Sequence, residues 1–142
     1  MRIMRIVIIS LGFVLINLTG FTQRLQKISK IQRDSCLNQI ALKTIQKYAE
    51  EDFYTEITTH TIDSTIIKDR YKKEYEVYVV TYYYDKKKFR MHEEFLMKIF
   101  IEKKTGKAIN IGMGTGGELF IKHGKPKKKI VMQKFKVDEI FF

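Results

Sequence analysis

The 142-residue sequence contains little of the chemistry that cross-links or stiffens a small protein. It has one cysteine, Cys36, one proline and no tryptophan. A single cysteine excludes an intramolecular disulfide, so an apolar core must supply the stability of the fold. Acidic residues are also scarce, since 16 Asp and Glu oppose 27 Lys and Arg and leave a formal net charge of +11. This charge favours anionic partners, although lysines scattered over turns and edges also keep a small sheet soluble.

The chain begins with the parts of a secretory signal peptide. Arg2 and Arg5 precede an uncharged, mostly apolar run over residues 6–23, and the small residues Gly20 and Thr22 suit the −3 and −1 positions of a cut after Thr22. This pattern predicts export, to the periplasm or as a secreted protein. The alternative is an uncleaved membrane anchor, but the run of 18 residues is shorter than the about 20 that a spanning helix needs.

Three segments are therefore predicted: a signal peptide over residues 1–22, a polar lead-in over 23–33 and a single domain over 34–142. Because the leader contains two basic and no acidic residues, the remaining chain carries a net charge of +9. Export argues against nucleic acid as the partner. Contact with a membrane is expected only through a leader that is not processed.

One amphipathic helix is predicted at the start of the domain. Asp34 or Ser35 can cap it, because a side-chain oxygen can accept hydrogen bonds from the free amides of the first turn. Apolar residues then recur at steps of three and four, and the helix is predicted to end near Glu51. This stripe consists of Leu37, Ile40, Ala41, Ile45 and Tyr48.

The rest of the chain has the alternation and turn residues of strands. Strands are predicted over residues 54–67, 74–84, 89–102 and 107–112, with a last hairpin formed by 118–123 and 129–137. One helix followed by a run of antiparallel strands predicts an α+β fold and excludes a parallel βαβ sheet. We expect the helix to pack on a curled antiparallel sheet.

The central hairpin predicts a register and an unusual outer face. Apolar residues occupy odd positions of 89–102, and a turn at 85–88 sets Val79 opposite Phe95 and Glu76 opposite Lys98. Several apolar residues then fall on the outer face, namely Tyr78, Val80, Tyr82, Leu96 and Phe100. Either the C-terminal strands or Phe141-Phe142 cover this face, or it binds a partner.

One turn of the predicted sheet is shared with a known group of proteins. It is the segment Lys104-Thr105-Gly106-Lys107, which joins a long strand to the short return strand 108–111. Together with the preceding helix, it resembles the cystatin-like and NTF2-like group over residues 35–112. Small exported bacterial members, including immunity-type NTF2-fold and PepSY-type domains, are similar. The resemblance implies a helix in the concave face of the sheet, sometimes with a cavity, and it transfers no catalytic residue to this chain.

Motifs for catalysis and for metals are incomplete. His92-Glu93-Glu94 lacks the second histidine and the helix of a zinc protease, and the glycine-rich segment 112–117 is followed by a strand rather than by the helix of a phosphate loop. We therefore predict no metal and no cofactor. Glu93 alone is a candidate pocket carboxylate, because it is the one acid among the apolar odd positions of its strand; a solvated position is the alternative.

Lysines predict the other candidate site. Alternate turns of a meander share one end of a sheet, so lysines of two turns should meet there and attract an acidic partner. The predicted binding residues are Lys103, Lys104, Lys107, Lys127, Lys128 and Lys129 with the aromatic face of Tyr78, Tyr82, Leu96 and Phe100. The sequence thus favours an exported, non-enzymatic module that binds a protein partner, as immunity or inhibitor proteins do. The alternatives are a small pocket enzyme or ligand carrier that uses Glu93, and a basic protein that binds an anionic envelope polymer.

Overall fold

A computed structural model of the chain describes residues 28–122, 124, 126 and 128–135. The elements in chain order are α1 (Lys30–Tyr48), α2 (Glu51–Thr55), β1 (His60–Lys68), β2 (Glu74–Tyr82), β3 (Met97–Glu102), β4 (Ala108–Met113) and β5 (Glu118–Leu119). The predicted leader, its cut site and Phe141-Phe142 lie outside the described residues. The predicted α+β class with an antiparallel sheet is confirmed, although a second short helix, α2, precedes the strands.

Helix α1 begins earlier than predicted. Its cap is Ser29, whose Oγ accepts a hydrogen bond from the Gln32 amide at 3.3 Å, rather than Asp34 or Ser35. Residues 30–33 of the predicted lead-in therefore belong to the helix. The predicted stripe is confirmed, since Leu37, Ala41 and Ile45 are buried and anchor α1 on the sheet.

Helix α2 replaces the start of the first predicted strand. Glu51 and Asp52 lie in its first turn, where the partial positive charge of a helix N-terminus stabilises carboxylates. The side chain of Phe53 is fully buried in the main core. Five residues with one buried anchor leave no periodic signal, which is why the sequence pattern gave strand here. Strand β1 then runs unbroken over His60–Lys68.

The five strands form one antiparallel meander in the order β1-β2-β3-β4-β5. The register between β2 and β3 differs from the prediction: Val80 lies opposite Ile99 and Tyr82 opposite Met97. Val79 faces Phe100 instead of Phe95. The shift changes the parity of the pairing, so Tyr78, Val80 and Tyr82 share a face with the odd residues of β3.

A long connection between β2 and β3 explains the shift. The predicted strand 89–102 starts only at Met97, because residues 83–96 form an irregular segment that buries Tyr84, Phe89 and Met91 in the main core. The Tyr84 hydroxyl donates to the Glu93 carbonyl at 2.9 Å and accepts from the Met91 amide at 3.0 Å. Its ring stacks on Phe89 at 4.9 Å between centroids. The connection is therefore a loop that buries alternate apolar side chains, so its sequence has the same period of two as a strand.

The sheet has apolar residues on both faces. The face under α1 forms the main core, which includes Val80, Tyr82, Ile99 and Ile111. The far face carries a second cluster of Tyr75, Val77, Val79, Phe100 and Ile109. A β-bulge between β3 and β4 shifts the register at Phe100 and Ile101 and allows Ile109 to join this cluster.

The C-terminal segment does not form the predicted hairpin. Among the described residues after β4, only Glu118–Leu119 pairs as a strand, with β4. Ile130 instead makes a parallel bridge to Ala49 at the end of α1, and Phe135 makes an antiparallel bridge to Arg90 in the long connection. Residues 128–135 thus tie the helix end to the loop between β2 and β3. None of the helices in the described part of the chain combines the length and apolar content that a membrane span requires.

Candidate functional site

A cleft of about 530 Å³ opens at one end of the sheet. Two hairpin turns, β1–β2 and β3–β4, meet there because alternate turns of a meander lie at the same end. The chain after β5 closes one side. The lining residues are Lys73, Glu74, Tyr75, Glu76, Glu102, Lys103, Lys104, Thr105 and Lys122, and we name this feature the lysine cleft.

Asp69 shapes the β1–β2 turn that forms one wall of the lysine cleft. Its buried carboxylate accepts hydrogen bonds through Oδ1 from the amides of Tyr71 and Lys73, at 2.8 and 3.0 Å. Lys72 adopts a positive φ of 66°, which Asp69 supports by accepting the Lys72 amide on its carbonyl. The turn is therefore held in one conformation, with Lys73 directed to the lysine cleft.

Tyr75 lies between the two walls. Its hydroxyl donates to Asp69 Oδ2 at 3.3 Å, and the ammonium groups of Lys73 and Lys122 lie 5.3 and 4.7 Å from its ring centroid. Burial, followed by the carboxylates of Asp69 and Glu102, raises the pKa of Tyr75 above its ordinary value. The phenol stays neutral, and its ring is available to cations.

Glu102 organises the opposite wall. Its Oε1 accepts from the Thr105 hydroxyl at 2.8 Å, and its Oε2 lies 3.5 Å from the Lys122 ammonium. Glu74 is likewise paired with Lys68 outside the lysine cleft, at 3.6 Å. These ion pairs neutralise two of the carboxylates that line the site.

The remaining lysines make the lysine cleft electropositive. Among the described residues, neither Lys73 nor Lys104 takes part in an ion pair. The Lys103 ammonium lies 4.8 Å from the centroid of the Tyr78 ring. Cations grouped around a concave surface can hold an anionic group better than isolated surface charges, because the lower dielectric of the walls strengthens their field.

The structure groups some of the predicted lysines and separates others. Lys103 and Lys104 lie in the lysine cleft as predicted, while Lys107 sits in the same turn but does not line it. Lys129 lines a different depression, beside Ala49 at the end of α1. Lys128 belongs to the same returning segment and Lys127 lies outside the described residues. The last basic run therefore does not contribute to the predicted cluster through Lys128 or Lys129.

Sequence reasoning missed Lys73. The sequence does contain the necessary information. Lys72-Lys73 lie between the predicted strands 54–67 and 74–84, in the turn that should share an end of the sheet with the turn at 103–107. The same end-of-sheet argument that groups Lys103 with the lysines of the last turn, Lys127 to Lys129, also applies to Lys73.

The predicted aromatic face is not one exposed surface. Tyr82 and Leu96 are 1% and 0% exposed in the main core, and Phe100 is 8% exposed in the cluster on the far face. Tyr78 is half-buried, with the guanidinium of Arg33 5.7 Å from its ring centroid. The error follows from the register, because the shifted pairing turns the even residues of β2 towards α1.

Tyr82 is instead a buried link between the sheet and the helix. Its hydroxyl donates to Asn38 Oδ1 at 2.6 Å. Burial, with a smaller effect of Tyr54, raises its pKa strongly.

Glu93 is half-buried at an open depression of about 360 Å³ that it shares with Lys98, Phe100 and Glu118. Its backbone is fixed, since its amide donates to the Gly114 carbonyl at 2.9 Å. This position differs from the closed apolar cavity that the alternative enzyme hypothesis requires. In the described part of the chain, no three His, Cys, Asp or Glu residues lie close enough to hold a metal ion.

Comparison of the chain with protein-family models, with curated proteins and with solved structures finds no match.

Proposed function

We propose that the protein is an exported, non-enzymatic binding module that holds an acidic segment of a partner protein in the lysine cleft. The observation that carries this proposal is the convergence of Lys73, Lys103, Lys104 and Lys122 around Tyr75. The net charge of +9 that remains without the leader adds long-range attraction for such a partner. In shape, we propose a cystatin-like or NTF2-like domain of the kind found among immunity and inhibitor proteins.

The composition of the walls favours a protein segment over a long polyanion. A continuous polyanion is best met by an unbroken track of cations, whereas Glu74, Glu76 and Glu102 interrupt the lysines here. A protein segment can place carboxylates on the lysines and neutral or basic side chains on these glutamates.

A labelled octaglutamate peptide tests the charge recognition directly, by fluorescence anisotropy. Reversal of Lys73 and Lys104, which make no ion pair with another described residue, in Lys73→Glu/Lys104→Glu should weaken binding at least about tenfold, since several contacts worth about 0.2–1 kcal/mol each become repulsive. The matched control is Lys43→Glu/Lys87→Glu, which makes the same charge change at exposed positions outside the lysine cleft. Equal weakening by both pairs would mean unspecific attraction and would contradict the proposal.

Capture from exported protein fractions then identifies the partner by mass spectrometry. We expect a protein that is retained by the unaltered chain and by Lys43→Glu/Lys87→Glu but lost with Lys73→Glu/Lys104→Glu. Polyphosphate of matched charge serves as competitor. If it displaces the octaglutamate peptide at far lower concentration than free octaglutamate does, the site is one for an anionic polymer and the protein-partner proposal fails.

A further inference from the structure

Strand β1 forms an unusually open edge of the sheet. It is nine residues long, pairs only with β2 among the described strands, and has seven exposed and no buried residues. Natural edge strands are blunted by proline, bulges, internal lysines or short length. β1 contains no proline, pairs with β2 in continuous register, has its one lysine at its last position and carries Asp63 as its one internal charge. An edge of this kind is a template for another strand.

The hydrogen bonds at both ends of β1 show which backbone groups face outwards. The Asp69 amide donates to the Lys73 carbonyl at 3.0 Å, and the Tyr83 amide donates to the Thr59 carbonyl at 2.9 Å. In an antiparallel pair, residues bonded to the partner strand alternate with residues whose amide and carbonyl point away. Odd residues of β1 therefore bond to β2. The residues that present amide and carbonyl groups at the open edge are His60, Ile62, Ser64, Ile66 and Lys68.

We propose that β1 pairs antiparallel with β1 of a second copy of this chain, with the two Ser64 residues opposite each other on the two-fold axis. This register sets Ile62 opposite Ile66 of the other copy twice, because the two isoleucines lie symmetrically about Ser64. Ile66 is 57% exposed in the single chain and would be covered. The two sheets would join into one, with both copies of α1 on the same face.

Neighbouring registers are less favourable for stated reasons. A shift by one residue towards the N-terminus places Asp63 opposite Asp63 of the other copy, and like charges directly opposite are destabilising. A shift the other way places Ile62 opposite Lys68. We propose a second copy rather than an unrelated extended peptide because β1 is complementary to itself: in this register each Ile62 lies opposite an Ile66.

Disulfide trapping tests the register. In a Cys36→Ser background, which removes the one natural thiol, Ser64→Cys should be converted to a covalent dimer by oxidised glutathione. Opposite residues of a bonded antiparallel pair have Cα atoms about 5.5 Å apart, a distance that a disulfide can span. Asp63→Cys in the same background is the matched control, because it should cross-link much more slowly. Equal rates, or faster trapping through Asp63→Cys, would overturn the proposed register.

Sedimentation velocity tests the association itself, with the chain in the form that the cell produces. We expect a concentration-dependent dimer that persists in Ser64→Ala and is lost in Ser64→Pro. Proline removes only an outward amide of an edge strand, so the β1–β2 hydrogen bonds remain. If circular dichroism shows that Ser64→Pro is unfolded, Ile62→Lys/Ile66→Lys answers the same question by placing charges across the interface. A monomer at all concentrations, or a dimer unaffected by a folded Ser64→Pro or by the lysine pair, overturns the proposal.

Discussion

Substitution of Gly114 by alanine should destabilise the protein far more than the same change at Gly112 or Gly124. A Cβ atom at Gly114 would lie 2.5 Å from the carbonyl oxygen of Leu96, and closer still to that of Phe95. Both are backbone atoms, which cannot rotate away as the end of a side chain can. The φ of Gly114 is not positive, so the backbone conformation suits alanine and the substitution tests the close approach alone.

The cost can be worked out from the contacts at this position. The Gly114 amide donates to the Leu96 carbonyl at 2.9 Å, and its carbonyl accepts from the Glu93 amide at the same distance. Separating the two segments weakens both bonds, each worth about 1 kcal/mol net, and overpacking adds about 1–3 kcal/mol. We expect a loss of about 2–5 kcal/mol, which lowers the urea midpoint of unfolding by roughly 1–3 M.

Two other glycines provide graded controls in the same urea titration. At Gly112 the new Cβ would lie 3.3 Å from the Lys98 Cβ, so we expect a change within about 1 kcal/mol. At Gly124 no heavy atom lies within 4 Å, and we expect a change within about 0.5 kcal/mol. The same small effect at Gly114 as at Gly124 would refute the close packing of β4 against the long connection.

Three further predictions concern the core and the lysine cleft. Leu96→Ala should lower the free energy of unfolding by about 2–5 kcal/mol, because the side chain is fully buried; an effect below about 0.5 kcal/mol in urea titrations would place Leu96 on the surface. Asp69→Ala should cost about 2–4 kcal/mol by the same measurement, since it leaves the Tyr71 and Lys73 amides and the Tyr75 hydroxyl without their acceptor. A wild-type urea midpoint would contradict this role. Stability should be fully present below about pH 10, the pKa of tyrosine in the unfolded chain, and fall above it, because folding raises the pKa values of Tyr75 and Tyr82. Urea titrations from neutral to alkaline pH should show a smaller decline for Tyr82→Phe, and an equal decline would contradict the assignment.

The periodicity of apolar residues predicts an element correctly where the element is long and buried on one side. The stripe of Leu37, Ala41 and Ile45 predicted the buried face of α1, and the chain order predicted an antiparallel α+β sheet. Helix α2 could not be found in this way, because Phe53 is its one buried residue. The alternation of Phe89 and Met91 predicted a strand, yet these side chains are buried by a loop.

That single error in the β2–β3 connection explains the wrong assignment of the aromatic face, whereas the omission of Lys73 is independent of it. A pattern of period two is the same for a paired strand and for a loop that packs alternate side chains inwards. Once the turn was placed at 85–88, the parity of β2 was reversed and Tyr82 was assigned to the surface. The grouping of Lys103 and Lys104 did not depend on that register, because it rested on which turns share an end of the sheet.

The consecutive order of the strands has a consequence for the path by which the chain folds. Each strand pairs with its nearest neighbour in sequence, and apart from the long connection between β2 and β3 the hairpins close with short loops and a small loss of chain entropy. The bridges of Ile130 to Ala49 and of Phe135 to Arg90 instead join distant parts of the chain. We therefore expect the meander to form rapidly and the docking of residues 128–135 to be the slow, final step, during which the end of α1 remains accessible to solvent and to proteases.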